Sequence, residues 1–317
     1  MNTTQEFDAI IVVTAKDYER LQRNYPKLLS DIPARRVLFV GNEDVALLVK
    51  NLGPGAGKAG FLNENDVIPF EKVHAVMKDA LKDILLGREL PRGVTGWYYQ
   101  QFLKMQYASI CHRPYYLVWD GDTIPCKPFS MFQEEGIPYL DLKQEYHEEY
   151  FQVMSKLIPG MGKCIQKSFI SEHMLIHCGI MKELIDEIES NDAVPGTLFW
   201  EKIIYGIDTD KLQSNSFSEF ETYGTYTACR HPLAYMFRDW HSFRYGGLYF
   251  DPNTISEADY KWLGRDFYAI SFEKGHTVRE DHKNLFDNPK YQEKLSARRM
   301  LEIAQEEAFE GYREVWD

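Results

Sequence analysis

Short apolar runs separated by helical stretches restrict what this chain can fold into more than any other feature. Asp8-Ala-Ile-Ile-Val-Val-Thr-Ala15 reads as a buried strand. Lys16-Asp17 and the segment through Arg20, Leu21 and Tyr25 read as a helix, and Arg36-Val-Leu-Phe-Val-Gly41 as a second strand closed by glycine. Strand, helix, strand at this spacing is the βαβ unit of a parallel sheet. Ile68-Pro-Phe70 is expected to supply a third edge. Helical patterning runs from Val73 to about Leu86 and from Gly96 to about Ile110, and the latter feeds a strand over Tyr115–Trp119. That strand ends in Asp120-Gly-Asp122. Carboxylates at such a strand end face the crevice where open α/β sheets bind ligands. A pair spaced i, i+2 about a glycine can offer oxygens to one hard divalent cation, which also takes diphosphate oxygens. Asp and Gly are also favoured turn residues for local backbone reasons, and Asp-x-Asp alone is a weak signal. Its place within an α/β pattern favours the ligand-binding reading.

Of the 317 residues 44% are hydrophobic and 14% aromatic, enough for a substantial core and against wholesale disorder. A net charge of −12 argues against a general nucleic-acid binder, which needs clustered Lys and Arg, yet leaves room for one nucleotide held through a metal. No apolar run approaches the ~18 residues of a membrane span, so no transmembrane segment is expected. Met1 to Asp8 is short and polar, so no signal peptide is expected either. The five cysteines (Cys111, Cys126, Cys164, Cys178, Cys229) lack C-x-x-C spacing and read as reduced thiols of a cytoplasmic protein.

Beyond Pro128 the pattern is mixed: a helix over Gln144–Ile158, a strand or helix entry over Ser168–Cys178, and helices over Lys182–Glu189 and Leu198–Ile204. Asn284 to Asp317 is strongly charged and predicts one or two terminal helices. The expected layout is a catalytic domain over 1–283, with a nucleotide-binding half at about 8–128 and a second half at about 129–283, and a helical extension over 284–317.

Several polar clusters compete for chemical roles. Gly53-Pro-Gly-Ala-Gly-Lys-Ala-Gly60 fails as a phosphate loop: Leu52 stands where its first glycine belongs and Ala59 where Ser or Thr must bind magnesium, so a surface loop is expected. On the Gly96–Lys104 stretch, Gln100, Gln101 and Lys104 are hard to explain as core, and Lys104 could neutralise a phosphate. Ser216-Phe-Ser-Glu-Phe-Glu-Thr-Tyr-Gly224 sets Glu219 and Glu221 among aromatics, where desolvation raises a carboxyl pKa and suits a general base; in a strand the two would share one face. Glu172 is a third candidate, with a helix start capped by Ser171 as the competing reading. His241 and His276 are candidate third metal ligands, and His173 with His177 a runner-up metal pair. Tyr98, Tyr223 and Trp240 are candidates for stacking on a sugar, though packing is the commoner role of such rings.

Together, Val12-Val-Thr-Ala15, the Gly96–Lys104 helix, Trp119-Asp-Gly-Asp122, Ser171-Glu-His-Met174 and Ser218-Glu-Phe-Glu-Thr-Tyr-Gly224 resemble the glycosyltransferase A-type (GT-A) enzymes, in particular bacterial surface-polysaccharide glycosyltransferases, over about residues 8 to 280. The resemblance implies an α/β fold: a Rossmann-like, mostly parallel central sheet flanked by helices, with the C-terminal helices outside it. It implies a nucleoside-diphosphate sugar donor, UDP-sugar favoured, held through Mn²⁺ or Mg²⁺, and a glycan or lipid-linked glycan acceptor handled by the second half. The setting would be bacterial surface glycan synthesis in the cytoplasm, with a peripheral position at the inner face of the membrane left open. By position, Thr14, Ala15, Lys16, Gln100, Lys104 and Asp120 would bind the nucleotide. Asp120 and Asp122, with His276 or His241, would bind the metal. Glu219 would be the base of an inverting transfer, with Glu221 and Glu172 as alternatives. The His-x-x-Gly-x-x-Lys-Pro-Trp pattern of glycogenin-like retaining enzymes is missing from the sequence, which weakens a retaining assignment. A retaining transferase, a sugar-nucleotide hydrolase and a non-catalytic carbohydrate-binding protein are the alternatives.

Overall fold

The computed structural model describes residues 5–52, 57–278, 286 and 288–307, without the side chains of 304–307. Its strands are β1 (Asp8–Val12), β2 (Arg36–Gly41), β3 (Ala59–Asn63), β4 (Tyr115–Trp119), β5 (Thr123–Pro125), β6 (Tyr139–Leu142), β7 (His173–His177), β8 (Met236–Asp239), β9 (Ser242–Phe243) and β10 (Ala269–Ser271). The central sheet has the order β3-β2-β1-β4-β7. Its first four strands run parallel, and β7 closes it antiparallel to β4 with His173 opposite Trp119. The α/β class expected from the sequence is the one observed.

Ala9, Ile10 and Ile11 of β1 are all at most 1% exposed, the signature of a central strand covered on both faces. Alternation sends Ile10 into one core and Ala9 and Ile11 into the other. The first core packs the helices Arg92–Ile110 and Cys178–Glu189 on one face; the second packs Ala15–Leu21 and Tyr25–Asp31 on the opposite face. Phe286, Ala297 and Met300 are buried in the second core, so the helix Ala297–Glu307 packs against the main body. Of the expected extension, residues 284, 285, 287 and 308–317 lie outside the described ones. Among the described residues no helix is long and apolar enough to cross a membrane.

Two expectations need correction here. Ile68–Phe70 is no strand: Ile68 ends the helix Glu64–Val67 and Phe70 opens the helix Phe70–Ala80. The third strand instead starts at Ala59, inside the segment expected to be a surface loop, of which 53–56 are outside the described residues. The reason is steric. A Cβ on Gly60 would stand 2.8 Å from Leu38 Cδ2, so glycine, which carries no β-strand signal, lets β3 lie against β2 without displacing the Leu38 side chain.

Strand order reverses at β1, with β2 and β3 on one side and β4 on the other, and ligands bind outside the carboxyl ends of strands at such a switch point. Gly121 sits there. A Cβ on it would meet Val13 Cγ1 at 2.4 Å and Ile11 Cγ2 at 3.2 Å, so only glycine lets the turn after β4 lie on β1. Gly121→Ala is expected to lose roughly 1–3 kcal/mol of stability by overpacking, measured by denaturant unfolding. A loss under a few tenths would show that Val13 yields freely.

Candidate active site

Asp120 and Asp122 leave β4 in a tight turn. The Asp120 N–H donates to the Glu172 carbonyl at 2.9 Å, and the Thr123 N–H returns to the Asp120 carbonyl at 3.1 Å. Behind Asp120 stands Lys104, from the Arg92–Ile110 helix. Its Nζ donates to Asp120 Oδ1 and to Glu219 Oε1, each at 2.8 Å. The Lys104 and Glu219 side chains are 5% exposed and that of Asp120 34%, so one buried ammonium joins an inner carboxylate to one that borders solvent. Burial alone would lower the Lys104 pKa; the two carboxylates outweigh it and hold the amine charged. For Glu219, burial raises the pKa against the pull of Lys104. At 2.8 Å from an ammonium, we read the pair as ionised.

Glu219 lies not on a strand, as expected, but at the first turn of the helix Glu219–Arg230, capped by Ser218, whose Oγ accepts from the Glu221 N–H. The two glutamates therefore diverge. Glu221 accepts from Ser168 Oγ at 2.6 Å and from the Phe169 N–H at 3.2 Å, which ties the loop before β7 to this helix. Gln101 fixes the other side, its Oε1 accepting from the Glu219 N–H at 3.0 Å.

Asp122 is pushed up to about 7, first by burial, then by Asp120 and Glu273, with Arg20 and the Thr123 hydroxyl opposing. Arg20 gives NH1 to the Phe272 carbonyl and only partly offsets Asp122, while Lys104 divides one positive charge between Asp120 and Glu219, so the cluster keeps an excess of carboxylate charge. Hard oxygen donors under mutual repulsion are what a divalent cation relieves, and in that respect Asp120 and Asp122 fit one. The two histidines do not complete the set. His276 lies 3.9 Å from Glu273 and His241 is exposed beside β9. Among the described residues no group of three or more His, Cys, Asp or Glu side chains is arranged to hold a metal.

Glu172 is buried rather than at a helix start, for Ser171 Oγ donates to the His173 carbonyl and a strand follows. Its Oε1 accepts from Ser242 Oγ at 2.7 Å and Lys143 Nζ at 3.3 Å, while Oε2 is buried without a partner. Although burial opposes it, Lys143 and Ser242 hold this carboxyl below its usual range. Thr14 and Lys16 are exposed at the carboxyl end of β1, Thr14 capping the helix Ala15–Leu21; Ala15 and Gln100 are half-buried. Tyr98, Tyr223 and Trp240 are at most 3% exposed and pack, so none is free to stack on a sugar. His173 and His177 lie on a strand, where four residues separate them by roughly 13 Å, so they cannot share a metal.

His173 instead belongs to a buried network that sequence reasoning missed. Its Nε2 meets Asp141 Oδ2 at 2.7 Å, and Arg238 donates to both Asp141 oxygens at 2.6 and 2.7 Å. Burial opposes ionisation of Asp141, but these partners win and its pKa is lowered. A lowered carboxylate contributes stability above its unfolded value of 3.8, lost as pH falls through the folded one. Asp141→Asn is therefore expected to flatten the acid limb of the stability–pH curve below about pH 4, read by urea unfolding. An unchanged limb would place the acid sensitivity elsewhere. Lys143, Ser242, Arg244 and Glu273 were also missed, because no short-range pattern links residues that meet from 29 to 99 positions apart.

A family model described as a family of unknown function (DUF6492) matches residues 10–286. The chain belongs to that family. No curated protein matches the sequence. Among solved structures, the DUF6492 chain is similar to the galactosyltransferase LgtC in complex with donor and acceptor sugar analogs, at 12% identity over 95% of this chain and 96% of that one, TM-score 0.40. It is similar to the bifunctional glycosyltransferase WbbM at 12% identity over 92% and 52%, TM-score 0.43. It is also similar to the glycosyltransferase GlyE of Streptococcus pneumoniae at 9% over 96% and 64%, TM-score 0.39. At these scores the likenesses decide nothing about chemistry, which rests on the side chains.

Proposed function

We propose that this protein transfers a sugar from a nucleoside-diphosphate sugar to a hydroxyl acceptor, with a divalent cation held by Asp120 and Asp122. The observation that carries the reading is an acidic pair at the switch point of a parallel sheet, only partly offset by the buried lysine that braces it from behind. The finer assignments follow the sequence resemblance: a UDP-sugar donor, a glycan or lipid-linked glycan acceptor, and a place in bacterial surface glycan synthesis. Bound Mn²⁺ or Mg²⁺ would supply Lewis-acid neutralisation of charge on the departing diphosphate. The chain's own part is to keep Asp120 fixed through Lys104 and the Glu172 carbonyl, and Asp122 fixed through the glycine turn.

Inversion by direct displacement calls for a general base that reaches the acceptor hydroxyl, and the carboxylates are the candidates weighed for it. Glu219, the expected base, is 5% exposed and bonded to Lys104, so we assign it to positioning that lysine instead. This favours a second reading, transfer with retention. There the acceptor attacks from the face the diphosphate leaves, a diphosphate oxygen takes its proton, and no separate base is needed. Incubation with UDP-sugars, with and without acceptor, separates transfer from hydrolysis. Proton NMR of the product then reads the anomeric configuration: the donor's configuration supports retention, and the opposite one returns the base role to a carboxylate. A protein that binds glycan and turns over no sugar nucleotide would be a binding module, contrary to this proposal.

A further inference from the structure

At the amino ends of the strands, away from the crevice, the structure holds a cavity of about 440 Å³. Its lining joins the starts of β1 and β2 (Asp8, Arg36) to the last turn of the Arg92–Ile110 helix (Tyr107, Ile110) and to the turn before β4 (His112, Arg113), with Arg35 at the rim. The volume lies within the range of small-molecule sites, ~300–1,000 Å³. Its charge runs against that of the protein. The chain carries 48 acidic side chains to 36 basic ones, yet this cavity collects three guanidiniums and an imidazole around a single carboxylate.

That carboxylate occupies one of the three, Arg35 lying 3.3 Å from Asp8 Oδ1. Arg113 leans outward to the largely exposed Glu6 at 3.0 Å, a surface pair of small worth. Arg36 makes no ion pair or side-chain hydrogen bond among the described residues; its guanidinium lies across Gly60, where an added Cβ would stand 3.3 Å from it. The last turn of the helix has no basic residue, so the negative end of its dipole takes up part of the positive charge gathered here, and the guanidiniums have to outweigh it for an anion to bind. Arg36 shares the lining with an apolar wall of Leu38, Leu62 and Ile110, and Arg113 can join it by giving up its surface pair with Glu6. Planar donor forks beside an apolar wall suit a bidentate anion attached to a compact organic body.

We propose that this cavity is a second binding site, for a small molecule carrying a phosphate or diphosphate group. The site is independent of the donor crevice, which lies at the other end of the same strands. Titration calorimetry with inorganic pyrophosphate, and separately inorganic phosphate, in the absence of divalent cations is the test. Wild type is expected to bind pyrophosphate. Arg36→Gln should weaken binding roughly tenfold or more, as loss of a charge-assisted hydrogen bond does, and Arg36→Gln with Arg113→Gln should abolish it. Both arginines are at least partly exposed, so the fold survives, and the pyrophosphate-induced rise in melting temperature gives a second readout that should vanish in the double variant. Comparable binding of phosphate identifies a single phosphoryl group as the recognised unit; preference for pyrophosphate identifies a diphosphate. Asp122→Asn should leave the effect in place, which separates this site from the crevice. No binding to wild type, or binding that both arginine variants leave unchanged, overturns the proposal.

Discussion

Lys104→Met is expected to lower stability by about 3–5 kcal/mol, the usual result of deleting one partner from a buried ion pair. The methionine fills the space of the lysine stem, so the loss comes from Glu219, left ionised or forced to protonate at 5% exposure with no counter-charge. Asp120 is less affected because its side chain is 34% exposed and water can take over. The double variant Lys104→Met with Glu219→Leu should recover much of the loss, since removing both charges also removes their desolvation. Stability restored in this way would still leave Asp120 Oδ1 unanchored, and turnover should stay low. Urea unfolding of the four corners of this cycle gives the coupling. A single-variant loss under 1 kcal/mol would mean that Lys104 is not the brace described here.

Asp122→Asn is expected to reduce metal-dependent sugar transfer by roughly 10³-fold, the rate equivalent of several kcal/mol of charge stabilisation. Its effect on stability should have the opposite sign. A carboxyl raised to about 7 contributes stability below its unfolded value of 3.8, and loses it as pH rises through 7. At pH 8 without metal the ionised Asp122 is therefore a destabilising group, and the asparagine variant should be at least as stable as wild type. Added Mn²⁺ should raise the melting temperature of wild type and not of the variant. An inactive variant that is also unfolded would not support a role in chemistry; a folded, fully active one would remove Asp122 from the mechanism.

β1, β2 and β4 are legible in the sequence because Ala9–Ile11, Val37–Val40 and Tyr116–Trp119 are buried on both faces and so appear as unbroken apolar runs. β3 is not, since Gly60 lies against the Leu38 side chain in its middle, and glycine reads as loop. The segment at Glu219 could have been read correctly. Phe220, Tyr223 and Tyr226 recur every three residues, a helical period, but their aromatic character suggests a strand if the spacing is ignored. Part of the candidate site was visible in the same way: Asp120-Gly-Asp122 by its place after a strand, and Lys104, with Gln100 and Gln101, as a polar residue hard to explain as core. That Lys104 binds Glu219, 115 residues away, and that Glu172 binds Lys143 and Ser242, are facts of the tertiary fold with no local trace. Burial decided the rest. Tyr98, Tyr223 and Trp240 look like sugar platforms in the sequence and are core in the structure.

Calorimetric titration of UDP into wild type and Asp122→Asn, each with and without Mn²⁺, tests the grip of the acidic pair on a metal-bound diphosphate most directly. Tight binding by wild type only when Mn²⁺ is present, with the asparagine variant binding weakly in both conditions, is the result expected. UDP affinity that ignores both the metal and the substitution would contradict it.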